Sequence, residues 1–137
     1  MNTRALTYWI TTGVTAFVLL SGGVAYLLGA RWAVAGVKAL GYPAYLVTIL
    51  GVWKVLGAVA VTVPGYPRLK EWAYAGIAFD LSGATVSHLV AGSPAFHPVV
   101  TTILLGVAAL SWATRPASRR LSSPAESRPD AVPATVS

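Results

Sequence analysis

Two ionisable residues interrupt stretches that are otherwise aliphatic, small and aromatic. Lys54 stands within residues 45–63, and Asp80 within residues 72–90. At the middle of a membrane helix each costs about 2.5–3.5 kcal/mol. A lysine near a helix end escapes this cost by reaching the interface with its ammonium. The bilayer centre, however, lies about 15 Å from either interface, half of a core about 30 Å thick. A lysine stem covers less than half of that, and aspartate is shorter still. The simplest relief is mutual. Lys54 lies thirteen residues before Pro67 and Asp80 thirteen after it, so antiparallel helices of equal rise bring both to one depth. The chemistry open to them is an ion pair, or a neutral pair after proton transfer. Such a pair either only fixes helix register or forms a proton-handling or ligand-binding site. The residues alone leave both readings open.

The neighbours extend the pattern. Gly51, Gly57 and Ala58 flank Lys54 at helical spacing, and Gly76, Gly83, Ala84 and Ser87 flank Asp80. Small faces let membrane helices approach closely, so these two helices are expected to pack tightly on each other. His88 lies about two turns beyond Asp80 and roughly 80° around the helix from it, while Ser87 keeps the Asp80 direction. His88 and Ser87 either bond locally near the interface or form a proton or ligand site, with a quinone as one possible ligand. His97 is expected in a solvated loop, and two histidines without a carboxylate pair predict no metal site. Thr12 and Thr15 share a face with Tyr8, Gly22, Gly23 and Tyr26. Threonines can bond their own helix backbone, so this face is read as inward packing, with a cavity lining as the alternative. Arg68, Lys70, Glu71 and Trp72 are expected to anchor the chain at the membrane surface, Glu71 suiting the positive end of its helix.

The elements that position these residues follow from hydropathy and turn chemistry. Of 137 residues, 55% are hydrophobic and 10% charged, against roughly a quarter charged in soluble domains. The expected fold is all-α: one domain over residues 1–114 with four transmembrane helices, at about 5–28, 45–63, 72–90 and 99–113, packed as a bundle. Pro64-Gly65-Tyr66-Pro67 makes a tight turn that no helix runs through. Gly92-Ser93-Pro94 closes the third span, and Pro98 suits the first turn of the fourth. Residues 31–40 are either a short interfacial helix or an extension of the first. The first span carries Tyr8, Trp9 and Tyr26 near its ends, as interface anchors do; its apolar run is longer than that of a cleaved signal peptide. Residues 115–137, rich in Pro, Ser, Ala and Arg, are expected to form a disordered tail. The net charge of +6 flanks apolar spans, which points to anionic lipid and not to nucleic acid. Arg4, Arg68, Lys70, Arg115, Arg119 and Arg120 gather on one side, and Arg31 and Lys38 on the other, so both termini are expected in the cytoplasm. The sequence has no cysteine, which excludes thiol chemistry, and it carries no phosphate loop, dinucleotide fingerprint, nucleophile elbow or HExxH.

Several longer stretches carry a resemblance. Leu40-Gly41-Tyr42-Pro43, Ile49-Leu50-Gly51-Val52-Trp53-Lys54, and Pro67-Arg68-Leu69-Lys70-Glu71-Trp72-Ala73-Tyr74-Ala75-Gly76 are similar to the DoxX-like proteins. So are Phe79-Asp80-Leu81-Ser82-Gly83-Ala84 and Ser87-His88-Leu89. The resemblance covers the four spans and excludes the tail. It implies a four-helix protein of the bacterial inner membrane. The wider DoxX group includes subunits linked to thiosulfate and quinone oxidation and others tied to redox complexes. Lys54, Asp80 and His88 match the family pattern, but the resemblance carries no catalytic role onto them. The lack of cysteine departs from membrane oxidoreductases that work through thiols. Three functions are therefore expected: an accessory or redox-complex subunit held together by the Lys54–Asp80 pair, a quinone-linked oxidoreductase using Asp80 and His88, and a small proton-coupled transporter. No cofactor motif is present, which favours the first and leaves enzyme activity, oligomeric state and ligand open.

Overall fold

The computed structural model describes residues 1–122; residues 123–137, most of the expected tail, lie outside the described residues. All of its regular elements are helical: α1 (Thr3–Leu27), α2 (Arg31–Ala39), α3 (Tyr45–Thr62), α4 (Pro67–Val90), α5 (Phe96–Thr114) and a 3-10 turn at Ala117–Arg119.

Local chemistry sets the boundaries. The Asn2 side chain accepts a hydrogen bond from the Ala5 amide at 2.8 Å, satisfying one of the bare donors that open α1. Gly29 sits at φ +64°, a left-handed conformation that glycine adopts without a Cβ penalty. Its amide bonds Tyr26 O, and the next amide bonds Ala25 O, which ends α1 and takes up its last carbonyls. Residues 31–39 therefore form a helix of their own and do not prolong α1. This α2 buries Ala33 and Val37 against the rest of the fold and leaves Trp32 exposed. At the next reversal Gly65 (φ +77°) and Tyr66 (φ +50°) are both left-handed, and Pro67 opens α4 at its first position, where a missing N–H costs nothing.

The four long helices close a ring. α1 packs on α3 and α5, and α4 packs on α5 and α3. The shared core includes Leu19, Val61, Tyr74, Ile77 and Leu81, while Phe17, Trp53, Phe79 and Ile103 point outward. Three of the helices, α1, α3 and α5, are both long and apolar enough to cross a membrane. That matches three of the four expected spans. α4, at 24 residues, is about 36 Å long at 1.5 Å per residue. It has the length of a span, but Arg68, Lys70, Glu71, Asp80 and His88 make it less apolar than the other three.

The small residues are used differently from the expectation. A Cβ added at Gly76 or Gly83 would meet nothing within 4 Å, and one at Gly57 would make only ordinary contacts. The close approach is between α1 and α3 instead. A Cβ at Gly23 would lie 3.0 Å from Gly51 O, and one at Gly51 would lie 3.1 Å from Gly23 O. Gly76 and Gly83 are exposed and do not serve as a contact face, and a Cβ at Gly57 would meet the Ile77 side chain of α4 at an ordinary 3.9 Å.

Candidate functional site

Lys54 and Asp80 meet, as their equal distance from Pro67 predicts. The Lys54 Nζ donates to Asp80 Oδ2, forming a salt bridge between α3 and α4. The α1–α3 crossing places the lysine. Its Cβ would stand 3.0 Å from a Cβ on Gly23, and its Cδ 3.9 Å from one on Gly22. The stem therefore runs over a trough made by Gly22 and Gly23 of α1, and the ammonium emerges toward α4. The Tyr26 ring lies on the same side, its centroid 5.9 Å from Nζ, within reach of a weak cation–π attraction. The side chains of Lys54 and Asp80 are 17% and 21% exposed. The pair is neither sealed in the core nor open to bulk solvent, and each charge has its counterion in contact.

A second polar layer lies at the end of the ring that carries the N-terminus. The Ser111 hydroxyl, fully buried, bonds Thr12 Oγ1 and the Tyr74 hydroxyl, each at 2.7 Å. Three helices thus share one hydroxyl. Thr15 is buried and donates to Thr11 O at 2.8 Å, so it packs inward and, among the described residues, has no hydrogen-bond partner on another helix. Glu71 accepts from Trp112 Nε1 at 2.8 Å and from Arg115 Nη2 at 2.7 Å. It lies ahead of the apolar stretch that begins at Trp72. Burial alone would raise its pKa, but the bonds from Trp112 and Arg115 and the Arg115 charge outweigh this and hold the carboxyl below its usual value.

Lys70 is placed differently from the surface anchor expected of it. It is fully buried, and its ammonium donates to Ala60 O at 2.9 Å, to Val61 O at 3.2 Å and to Val63 O. The last carbonyls of a helix have no partner within it, and the Pro64–Pro67 reversal lets the first turn of α4 cover them with a cation, which also suits the negative end of the α3 dipole. Arg119 adds to the same cap, donating to Thr62 O at 3.2 Å and to the Tyr8 hydroxyl at 3.1 Å. Of the four residues expected to anchor at the surface, Arg68 and Trp72 are exposed, Glu71 is paired and Lys70 is enclosed.

The start of the expected tail also departs from disorder. Arg115 is buried against the rings of Tyr74 and Trp112, and Arg120 Nε donates to Arg115 O at 2.7 Å. Arginines that read as solvated charges in a Pro/Ser-rich stretch instead find aromatic faces and bare carbonyls at the end of the helix ring.

At the opposite end Ser87 Oγ bonds the Tyr42 hydroxyl at 2.7 Å. His88 Nδ1 bonds Ser93 Oγ at 3.0 Å, and its ring stacks on His97 at 4.9 Å between centroids. His97 lies in the first turn of α5, not in a loop. Among the described residues no hydrogen bond joins Ser87 or His88 to Asp80, and no cluster of three or more His, Asp or Glu side chains could hold a metal ion.

A model of the DoxX-like family matches residues 10–113, from within α1 almost to the end of α5. The chain belongs to the DoxX-like family. Comparison with curated proteins and with solved structures yields no match. Family and apolar helices together make this DoxX-like chain a membrane protein. Its central pair was legible in the sequence from a lone cation and a lone anion equidistant from a proline turn. The Ser111 hub is not legible there, because a serine near a helix end has no distinguishing pattern. The Lys70 cap had a usable signal: a lysine three residues after the proline that follows a helix end.

Proposed function

We propose that this DoxX-like protein is a four-span protein of the bacterial inner membrane with both termini in the cytoplasm. In this reading it serves as an accessory subunit of a membrane redox assembly, and its Lys54–Asp80 pair holds the bundle in register. The observation that carries this reading is that the polar groups of the interior are bonded to one another: Lys54 to Asp80, Ser111 to Thr12 and Tyr74, and Glu71 to Arg115. An arrangement of that kind, with each of these groups bonded to a partner on another helix or at its end, stabilises a fold. α4 serves as the fourth span because its mid-helix carboxylate has a counterion in contact, which removes much of the cost of inserting it. The excess of Lys and Arg at the end holding Arg4, Arg68 and Arg120, against Arg31 and Lys38 at the other, supports the orientation.

The geometry favours neither alternative. A quinone site using Asp80 and His88 together needs the two side chains to converge, whereas His88 turns to Ser93 and His97. A proton path through the pair needs a hydrogen-bonded relay leading away from it, whereas among the described residues no hydrogen bond joins Asp80 to Ser87, which bonds Tyr42.

The test is the double swap Lys54→Asp with Asp80→Lys, compared with each single change. On this reading the single changes destabilise the protein, and the swap restores both folding and the set of proteins that copurify in mild detergent. A swapped protein that folds as well as the original while its cellular role is lost would show that the pair does chemistry.

A further inference from the structure

Arg115 carries a donor that its surroundings leave unused. Its Nε donates to Trp112 O at 2.9 Å and its Nη2 to Glu71 Oε1 at 2.7 Å. Nη1 is buried and has no hydrogen-bond partner among the described residues, although the residue is only 3% exposed. A guanidinium offers five N–H donors in a fixed fork, and leaving one buried and unmet costs about 1–3 kcal/mol, more for a charged group.

Two further observations point to the same kind of ligand. The first is charge. This end of the protein holds Arg4, Arg68, Lys70, Arg115, Arg119 and Arg120, with Glu71 as the carboxylate among the described residues, and Glu71 is already bonded to Arg115. The second is shape. Between α4 and α5 an open groove of about 320 Å³ begins at Glu71, Tyr74 and Trp112 and runs past Ala75 and Ala78 to Leu105. From Glu71 to Ala78 it follows two turns of helix, about 10 Å at 1.5 Å per residue, and its lining beyond the mouth is wholly apolar. Arg115 stacks on two of the residues at the mouth and bonds the third.

We propose that this groove holds one anionic phospholipid, with a phosphate oxygen on the Arg115 guanidinium and an acyl chain along Ala75, Ala78 and Leu105. A cationic, aromatic mouth above an apolar channel matches a headgroup joined to a chain, and the surplus of positive charge selects an anionic headgroup. Trp112 is 46% exposed at the mouth and lies against the Arg115 guanidinium, so this side chain must turn aside for a phosphate to reach Nη1. The inference rests on the reading that this end lies at a membrane surface, and extraction of the native protein from membranes with alkaline carbonate tests that reading separately: release from the membrane would overturn it.

The experiment uses the full chain purified in mild detergent and titrated with phosphatidylglycerol or with phosphatidylcholine of the same chains, read by native mass spectrometry and thermal unfolding. The expected result is one phosphatidylglycerol retained at least tenfold more strongly than phosphatidylcholine, with a matching rise in melting temperature. Ala75→Leu and Ala78→Leu fill the open side of the groove without touching Arg115 or the core, and each should weaken retention about tenfold while helix content is unchanged. The paired change Arg115→Gln with Glu71→Gln removes the guanidinium without changing the net charge and should weaken retention of phosphatidylglycerol about tenfold, leaving only the preference set by the remaining cations of that end. Equal retention of the two lipids, retention of neither, or full retention by the groove-filled variants would overturn the proposal.

Discussion

Gly23→Ala is the sharpest test of how Lys54 is placed. The added Cβ would lie 2.9 Å from Val55 Cγ2, 3.0 Å from Gly51 O and 3.0 Å from Lys54 Cβ. Carbon contacts are favourable near 3.5–4.0 Å. Val55 can turn away, but a backbone oxygen and a Cβ cannot, so α1 and α3 must part by about half an ångström. Overpacking of this kind costs about 1–3 kcal/mol, and the better helix propensity of alanine returns up to roughly 1 kcal/mol. Gly13→Ala supplies the control. It lies on the same helix and gains the same propensity, and its Cβ meets nothing within 4 Å. The difference between the two variants therefore isolates the clash, and it should be about 1–3 kcal/mol. The assay is reversible unfolding in mixed micelles with rising dodecyl sulfate, followed by tryptophan fluorescence. Because Lys54 Cβ is one of the obstructed atoms, Gly23→Ala should also lower the coupling between Lys54 and Asp80 in a double-mutant cycle. Equal stability of the two alanine variants would refute the account of a glycine trough that carries the lysine.

Other perturbations probe the second polar layer. Ser111→Ala strands the Thr12 and Tyr74 hydroxyls, both buried, and should cost about 1–3 kcal/mol in the same unfolding assay; adding Tyr74→Phe should recover part of it, since removing both partners is cheaper than stranding one. Lys70→Met keeps the stem and uncovers the carbonyls at the end of α3, so amide exchange over residues 60–66 should quicken while the middle of α3 stays protected. The Glu71 carboxyl is held below its ordinary value of 4.5. A depressed carboxyl contributes stability that is present above the unfolded pKa and lost as pH falls through the folded one. Melting temperature should therefore fall as pH drops below about 4.5, and Glu71→Gln should flatten that acid limb; an equally steep limb in the variant would show that other groups set it.

The amino-acid sequence determined the four long helices, the turns between them and the common level of Lys54 and Asp80 along their helices, while it left residues 31–40 open between a helix of their own and an extension of the first. Those properties are local or additive along the chain: apolar runs, Pro and Gly punctuation, and a constant rise per residue that makes equal spacing from Pro67 mean equal height. It did not show which helices touch most closely. Glycine faces on α1, α3 and α4 look alike in one dimension, and only the tertiary structure decided that Gly23 and Gly51 meet while Gly76 and Gly83 stay open. Nor did it show that Lys70 turns in to cap α3, or that Arg115 and Arg119 fold under the helix ring. A cation beside an apolar span has two ways to be satisfied, by headgroups and water or by carbonyls and aromatic faces. For Lys70 the choice depends on how the Pro64–Pro67 turn folds α4 back over the end of α3, and for Arg115 and Arg119 on partners such as Glu71, Thr62 and Tyr8 that are distant in sequence and meet them only when the chain has folded.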